Sequence, residues 1–136
     1  MSIHVLMNGD AIFVYGTLKP GFLRYPYIEP FVLSKFPNTF LRGYKMYDTG
    51  YGFPYIIETN NLNNLVHGVL LTFEGGQMLR ETDLMELGAG YERVRESIAV
   101  YQLKGEFGLE DEGFEAWVYR AKEPMGGTLI ESGRWE

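Results

Sequence analysis

Helical periodicity is confined to one short segment of this chain, and this limits the folds that the chain can adopt. Over residues 77–87, Met78, Thr82 and Met85 recur at i, i+4 and i+7, which places them on one face of a helix. The helix is expected to end at Gly-Ala-Gly, residues 88–90, because glycine favours the conformation found after a helix C-terminus. With one main helix there are no alternating βαβ units, so the core has to be built from strands.

The remaining apolar segments are short, rich in β-branched and aromatic residues, and separated by turns that contain Gly, Pro or Asn. Two of them contain glycine: Gly43 interrupts one, and Gly68 predicts a bulge or a close backbone approach in another. Residues 19–37 contain four prolines and are predicted to be a loop with room for one helical turn. Residues 106–115 are acidic and are predicted to be a solvated loop. The predicted strands are residues 11–15, 39–47, 55–58, 65–73, 91–103 and 114–121.

Five or six short strands with one helix predict the α+β class, as a small mixed β-barrel with one main flanking helix. The chain has 136 residues, a length that fits one domain spanning residues 1–136. We expect the tail, residues 128–135, to dock against the body of the domain.

Composition excludes several classes of function. The formal net charge is −6 and the 12 Lys and Arg residues are scattered, so neither nucleic acid nor an anionic membrane is an expected partner. The absence of Cys excludes disulfides, thiolate nucleophiles and Cys-based metal sites, and makes a cytoplasmic location the default expectation. No apolar run approaches the roughly 18–20 residues of a membrane span. The N-terminus also lacks the basic region of a signal peptide.

Few residues are suited to metal or nucleophilic chemistry. The two histidines, His4 and His67, are too far apart for a local metal motif, and His67 lies in an apolar strand where a structural role is expected. No Ser lies in a Gly-x-Ser-x-Gly elbow. Gly16 and Gly21 have the spacing of a phosphate loop but lack the Lys-Ser/Thr that follows in nucleotide-binding proteins. We therefore expect neither a metal nor a cofactor.

The loop after the first strand, Tyr15-Gly16-Thr17-Leu18, is one candidate site. A strand that ends at glycine exposes backbone N–H groups where a ligand can approach closely. Such a group of donors can hold a carboxylate or a developing oxyanion. The alternative is an ordinary turn between a strand and a loop.

Glu86, in the last turn of the predicted helix, is the second candidate. A carboxylate there faces the negative end of the helix dipole, which raises its pKa. Asp83 shares the helix face, and repulsion between the two carboxylates acts in the same direction. The alternative is that both acids belong to a solvated surface.

Taken in order, these segments resemble the gamma-glutamylcyclotransferase-like family. The resemblance covers nearly the whole chain, and Tyr-Gly-Thr-Leu combined with Asp-x-x-Glu and Tyr-x-Arg at this spacing makes it specific. The matching segments are residues 13–21, 43–48, 53–54, 66–70, 83–86, 91–93, 116–119 and 130–135.

The resemblance implies a small barrel whose pocket binds a γ-glutamyl group. It implies that residues 15–18 supply backbone donors and that Glu86 is the general acid/base. The implied reaction is attack of the substrate's α-amino nitrogen on its own γ-carbonyl, which releases an amine and leaves 5-oxoproline. Such chemistry requires no Cys, metal or Ser–His pair, because nucleophile and electrophile lie in one molecule.

Further residues acquire roles through the same resemblance. Tyr91 is expected to be a pocket wall or hydrogen-bond donor, Tyr119 a second pocket residue, and Arg93 a structural residue. The aromatic side chains of Tyr51 and Phe53 are candidates for shaping specificity. The Lys-Pro-Gly sequence after Leu18 is closer to the γ-glutamylamine branch of the family than to the glutathione branch.

Two other functions remain open at this stage. The first is a catalytically silent binding module that keeps the pocket for a small carboxylated metabolite. The second is a protein-interaction domain that uses an aromatic surface between Tyr44 and Tyr55. The oligomeric state does not follow from the sequence.

Overall fold

The computed structural model describes residues 10–103 and 109–136. This part of the chain forms a mixed α+β fold with a closed five-stranded barrel and one main helix, as predicted. It contains eight strands rather than five or six, and two of them are 13 residues long. The elements are β1 (Asp10–Val14), β2 (Ser34–Arg42), β3 (Tyr44–Asp48), β4 (Pro54–Glu58), β5 (Leu65–Phe73), α1 (Gln77–Glu86), β6 (Tyr91–Leu103), β7 (Leu109–Ala121) and β8 (Thr128–Ile130).

The barrel strands follow the order β1-β5-β2-β6-β7. Each of these neighbouring pairs is antiparallel, and the barrel closes through a parallel pairing of β1 with β7 at Ile12 and Trp117. A separate sheet has the order β4-β3-β8. No helix within residues 10–103 and 109–136 is long and apolar enough to cross a membrane.

β1 is a continuous apolar run because both of its faces are buried. Ala11 and Phe13 belong to one core cluster, together with barrel residues of β5 and β7. Ile12 and Val14 belong to a second cluster, which includes Met78 of α1. Ile12, Val14 and Met78 therefore share one core cluster, which places β1 and α1 on the same side of the barrel wall.

The segment 39–47 is two strands rather than one. Gly43 has φ +84°, a conformation that L side chains rarely adopt, and the chain leaves the barrel there to enter the second sheet. β2 also begins earlier than predicted, at Ser34, and its register with β5 shifts between Phe36 and Thr39. Pro37 lies in that interval, where a residue without an N–H donor costs no ladder hydrogen bond.

Gly68 marks the close approach that its position predicts. A β-carbon at this residue would lie 2.4 Å from the backbone oxygen of Val14 and 2.6 Å from the ring of Phe13. The register shift lies on the facing strand β2, next to the pair formed by Gly68 and Thr39.

The proline-rich segment contains two turns of 3-10 helix, Tyr25–Tyr27 and Glu29–Phe31, where the sequence predicts one helical turn. Each has proline in its first turn, where the missing N–H donor is tolerated. β2 then begins within the predicted loop.

The prediction of an acidic loop is wrong for residues 109–115, because these residues belong to β7 and pair with β6. Residues 106–108 of that loop lie outside the described residues. The expected docking of the tail is confirmed: β8 pairs with β3, and the N–H of His67 donates to the carbonyl of Gly133.

Candidate active site

A cavity that opens to solvent lies where β1 ends beside the end of α1. The sequence-predicted site residues come from four separate parts of the chain, and the structure brings all of them to the wall of this cavity. They are Tyr15, Gly16, Thr17, Leu18, Glu86, Tyr91 and Tyr119.

The loop after β1 is closed by backbone hydrogen bonds from two later residues. The N–H of Lys19 donates to the carbonyl of Gly16 at 3.0 Å, and the N–H of Arg24 donates to the carbonyl of Thr17 at 2.8 Å. Within the described part of the chain, the N–H groups of Gly16, Thr17 and Leu18 donate to no backbone carbonyl. These three residues line the cavity, so the loop has backbone donors that remain available to a ligand.

Glu86 is the last residue of α1 and is 7% exposed, so it does not belong to a solvated surface. Burial raises its pKa above the ordinary value, and the guanidinium of Arg24, 3.8 Å from the carboxylate, opposes that shift. The predicted direction is confirmed, but repulsion from Asp83 is not among its causes. Asp83 instead forms an ion pair with Arg93 at 2.9 Å and accepts a hydrogen bond from the hydroxyl of Tyr119.

The carboxylate of Glu86 retains access to the cavity. No hydrogen bond from another side chain to this carboxylate is found among the described residues, and Arg24 at 3.8 Å is beyond hydrogen-bond distance. In the same part of the chain, every fully enclosed side-chain N or O atom has a hydrogen-bond partner. The Glu86 oxygens are therefore not fully enclosed, and they can meet a ligand in the cavity that the residue lines.

Tyr91 forms a wall of the cavity rather than supplying a free donor. Its hydroxyl donates to the carbonyl of Pro54 at 2.7 Å, and the residue is 4% exposed. Burial and the nearby charge of Glu86 raise the Tyr91 pKa well above its usual range, so this hydroxyl stays neutral.

Tyr15 and Tyr119 form a second hydrogen-bonded wall. The Tyr15 hydroxyl donates to the backbone carbonyl of Tyr119 at 2.6 Å. The Tyr119 hydroxyl lies 2.6 Å from that of Thr82 and donates to Asp83 on the same helix. Burial raises the pKa of both tyrosines, so their hydroxyls are neutral, and that of Tyr119 holds α1 against the barrel.

Arg93 and His67 have structural surroundings. Arg93 lies over the ring of Trp117 at 4.3 Å in addition to its pairing with Asp83. His67 packs near Phe40 outside the cavity, and burial lowers the pKa of its imidazole. Within the described residues there is no cluster of three or more His, Asp or Glu side chains arranged to hold a metal ion.

Sequence reasoning missed four residues of the cavity wall, Phe13, Val14, Arg24 and Pro54. Arg24 lies in the proline-rich loop, several residues after Thr17, and no local pattern distinguishes it. Phe53 lines the cavity as expected, whereas Tyr51 is 85% exposed and does not. Of the aromatic side chains between Tyr44 and Tyr55, those two tyrosines are buried in the core, Tyr47 and Phe53 are partly buried, and Tyr51 is exposed.

Solved structures with similar folds extend over nearly the whole chain, and three of them illustrate this similarity. An uncharacterised protein from Pyrococcus horikoshii has a TM-score of 0.65 and 21% identity, with 93% of this chain and 89% of that chain covered. A uropathogenic E. coli-specific protein has a TM-score of 0.66 and 16% identity, with 94% and 93% covered. An AIG2-like protein from Mus musculus has a TM-score of 0.61 and 22% identity, with 93% and 88% covered.

No curated protein has a significant sequence match to this chain. One family model does match, that of the AIG2-like gamma-glutamyl cyclotransferases, and it extends over residues 12–136. The match includes every strand from β2 to β8, the loop after β1 and the helix that carries Glu86. On this evidence the chain belongs to the AIG2-like gamma-glutamyl cyclotransferase family.

Proposed function

We propose that this protein is an enzyme that releases 5-oxoproline and an amine from a γ-glutamyl amine or γ-glutamyl peptide. Membership of the family supports a small-molecule substrate and cyclotransferase chemistry. The proposed catalytic residue is Glu86, and the proposed substrate-binding residues are Tyr15, Gly16, Thr17, Leu18, Tyr91 and Tyr119.

The observation that carries this proposal is the placement of Glu86. Its carboxylate is buried, lines the same cavity as the N–H groups of residues 16–18, and has no hydrogen bond from another side chain of the described residues. A cavity that only bound an anionic ligand would gain nothing from a buried carboxylate, because like charges repel. A carboxylate that has to accept and return a proton explains this placement.

The reaction needs one base, one acid and stabilisation of one developing charge. Glu86 removes a proton from the substrate's α-ammonium, and the freed nitrogen attacks the γ-carbonyl carbon to form the new ring bond. The N–H groups of residues 16–18 donate to the oxyanion that develops. The bond from the γ-carbon to the leaving nitrogen then breaks as Glu86 returns its proton to that nitrogen. The ring nitrogen still carries one proton more than the lactam keeps, and Glu86 accepts it and passes it to the released amine, which leaves as an ammonium ion.

The raised pKa of Glu86 suits this exchange. An unperturbed carboxyl group titrates near ~4.3 and an α-amino group near ~7.7–8.0, so proton transfer between them is uphill. Burial narrows that gap by raising the Glu86 pKa. Arg24 keeps the ionised form accessible by opposing the shift.

The second candidate function is a silent binding module for a small carboxylated metabolite. The open N–H groups of residues 16–18 favour it, since they would hold a carboxylate as readily as an oxyanion. The two functions differ in what happens to the ligand: an enzyme consumes it, and a binder holds it unchanged.

The test is to incubate the protein with γ-glutamyl amines, γ-glutamyl amino acids and glutathione and to measure 5-oxoproline by mass spectrometry. The proposal predicts 5-oxoproline, with an equal amount of free amine, from at least one substrate. Binding of several of these compounds with no product from any of them would contradict the enzyme and support the binding module.

A further inference from the structure

The cavity wall carries two charged side chains of opposite sign. Among its described lining residues, the only charged ones are one cation, Arg24, and one anion, Glu86. The other lining residues are uncharged: they are apolar side chains, the backbone of residues 16–18, the Thr17 hydroxyl, and three tyrosines whose hydroxyls are used in protein hydrogen bonds. The cavity therefore offers one partner for a negative group and one partner for a positive group.

Arg24 is held in place by its backbone, which leaves its side chain free for a ligand. Its N–H donates to the carbonyl of Thr17, so the residue stays beside the loop whatever its side chain does. The side chain is 35% exposed, and its guanidinium makes no hydrogen bond of its own to any described residue. At 3.8 Å from Glu86 it can bind a carboxylate that enters the cavity.

The next cation of the same loop is engaged elsewhere. Lys19 donates from its ammonium group to the backbone carbonyl of Trp135 at 2.5 Å, and it lies 4.4 Å from the centre of the Phe22 ring. Lys19 is not part of the wall of this cavity. In the proposed reaction the N–H groups of residues 16–18 bind the developing oxyanion, so a second carboxylate on the ligand would find no second cation among the described lining residues.

We propose that Arg24 binds the α-carboxylate of the substrate and that the amine released is uncharged apart from its reacting nitrogen. This inference rests on the proposed cyclotransferase function. A γ-glutamyl head carries one α-carboxylate and one α-ammonium, which match Arg24 and Glu86. The leaving half then lies against the apolar side chains of Phe53 and Pro54, where an unpaired charge is costly.

The first test compares near-isosteric substrates of the wild-type protein. γ-Glutamyl-butylamide has an apolar leaving half, and γ-glutamyl-β-alanine has a carboxylate at the same end. We expect kcat/KM for the butylamide to exceed that for the β-alanine derivative by about 10-fold or more. Equal or reversed values would overturn the inference while leaving the cyclotransferase intact. A failure to form 5-oxoproline from either compound or from the wider panel would instead defeat the proposed function.

The second test replaces the cation. In Arg24→Gln we expect KM for γ-glutamyl-butylamide to rise on the order of 10- to 100-fold, the range for losing a hydrogen bond to a charged group, with a smaller change in kcat. Arg24→Lys should restore part of the affinity because it restores the charge. Arg80→Gln is the matched control, since Arg80 lies on α1, bonds Gln77 and is not part of the cavity wall.

A pH profile separates ligand binding from a purely structural role. Arg24, Tyr15 and Tyr91 are the titratable groups that face Glu86, and Arg24 is the cation among them. Its removal should move the acidic limb of kcat/KM to higher pH, whereas Arg80→Gln should leave it in place. A KM and an acidic limb in Arg24→Gln no different from those of the control would overturn the assignment. If Arg24→Gln does not fold, the comparison of the two substrates with the wild-type protein still tests whether the released amine is uncharged.

Discussion

Gly16 lies directly against the ring of Pro54. A β-carbon on residue 16 would be 2.8 Å from Cγ and 3.0 Å from Cδ of that proline, closer than carbon atoms normally approach. The carbonyl of Pro54 accepts the hydroxyl of Tyr91, so this contact connects the loop after β1 to two other walls of the cavity. Glycine is required here by packing, since its backbone is not in the left-handed region.

Gly16→Ala should therefore lower both stability and ligand affinity. The added methyl group meets a rigid ring, and overpacking of this kind costs about 1–3 kcal/mol. Urea unfolding measures the loss in stability, and calorimetric titration with a γ-glutamyl ligand measures the loss in affinity.

Gly88→Ala is the matched control, because a β-carbon on this residue would have nothing within 4 Å and its φ is not positive. Its stability should stay within about 0.5 kcal/mol of wild type. Equal effects of the two substitutions would show that the contact between Gly16 and Pro54 does not shape the site.

Tyr91→Phe should affect stability more than chemistry. The substitution leaves the Pro54 carbonyl without its partner, which costs about 0.5–1.5 kcal/mol. Because the hydroxyl is already used, turnover should fall far less than the roughly 10²–10⁴-fold expected for loss of a general acid/base. Urea unfolding and steady-state kinetics on one preparation measure both effects.

Tyr119→Phe provides a comparison on the opposite wall, where the hydroxyl contacts Thr82 and Asp83. It should behave in the same way as Tyr91→Phe. A turnover in Tyr91→Phe as low as that of Glu86→Gln, with stability unchanged, would mean that the Tyr91 hydroxyl takes part in the reaction.

Glu86 should make the stability of the protein depend on pH. Folding raises the pKa of this carboxyl group above its ordinary value of 4.5, so the folded state binds its proton more tightly than the unfolded state. Its contribution to stability is present below pH 4.5 and is lost as the pH rises through the folded pKa. Glu86→Gln lacks this loss. The unfolding free energy of Glu86→Gln minus that of wild type should therefore increase from pH 4.5 to the folded pKa of Glu86 and level off above it.

Urea unfolding of the two proteins at a series of pH values measures this difference directly. A difference that stays constant with pH would show that burial does not perturb the Glu86 carboxyl group. A difference that decreases with pH would mean that ion pairing with Arg24 outweighs burial.

Local sequence patterns are sufficient to predict an element when one physical cause determines its structure. The run from Ala11 to Val14 predicts a buried strand, and the recurrence of Met78 and Thr82 predicts a helix with one buried face. The same reasoning places Glu86 at the end of that helix. These elements depend on residues that are neighbours in sequence, so periodicity alone identifies them.

The missed features depend on tertiary pairing. The acidic residues before Phe114 indicate a loop, yet β7 alternates from exposed Gly113 through buried Phe114 to exposed Glu115, as expected for a strand with one solvated face. Arg24 reaches the cavity only because its N–H bonds the Thr17 carbonyl, a contact that no local pattern predicts. The sequence shows that Gly43 interrupts an apolar segment. It does not show that Gly43 separates two sheets, because this depends on which strands pair with β2 and β3.

The most direct test of the account is the rate of 5-oxoproline formation by wild type and Glu86→Gln, measured with the dissociation constant of the same substrate. The account predicts that Glu86→Gln folds and binds the substrate while its turnover falls by roughly 10²–10⁴-fold, the range for lost acid/base catalysis. An unchanged turnover in Glu86→Gln would remove the carboxylate from the mechanism and contradict the central claim.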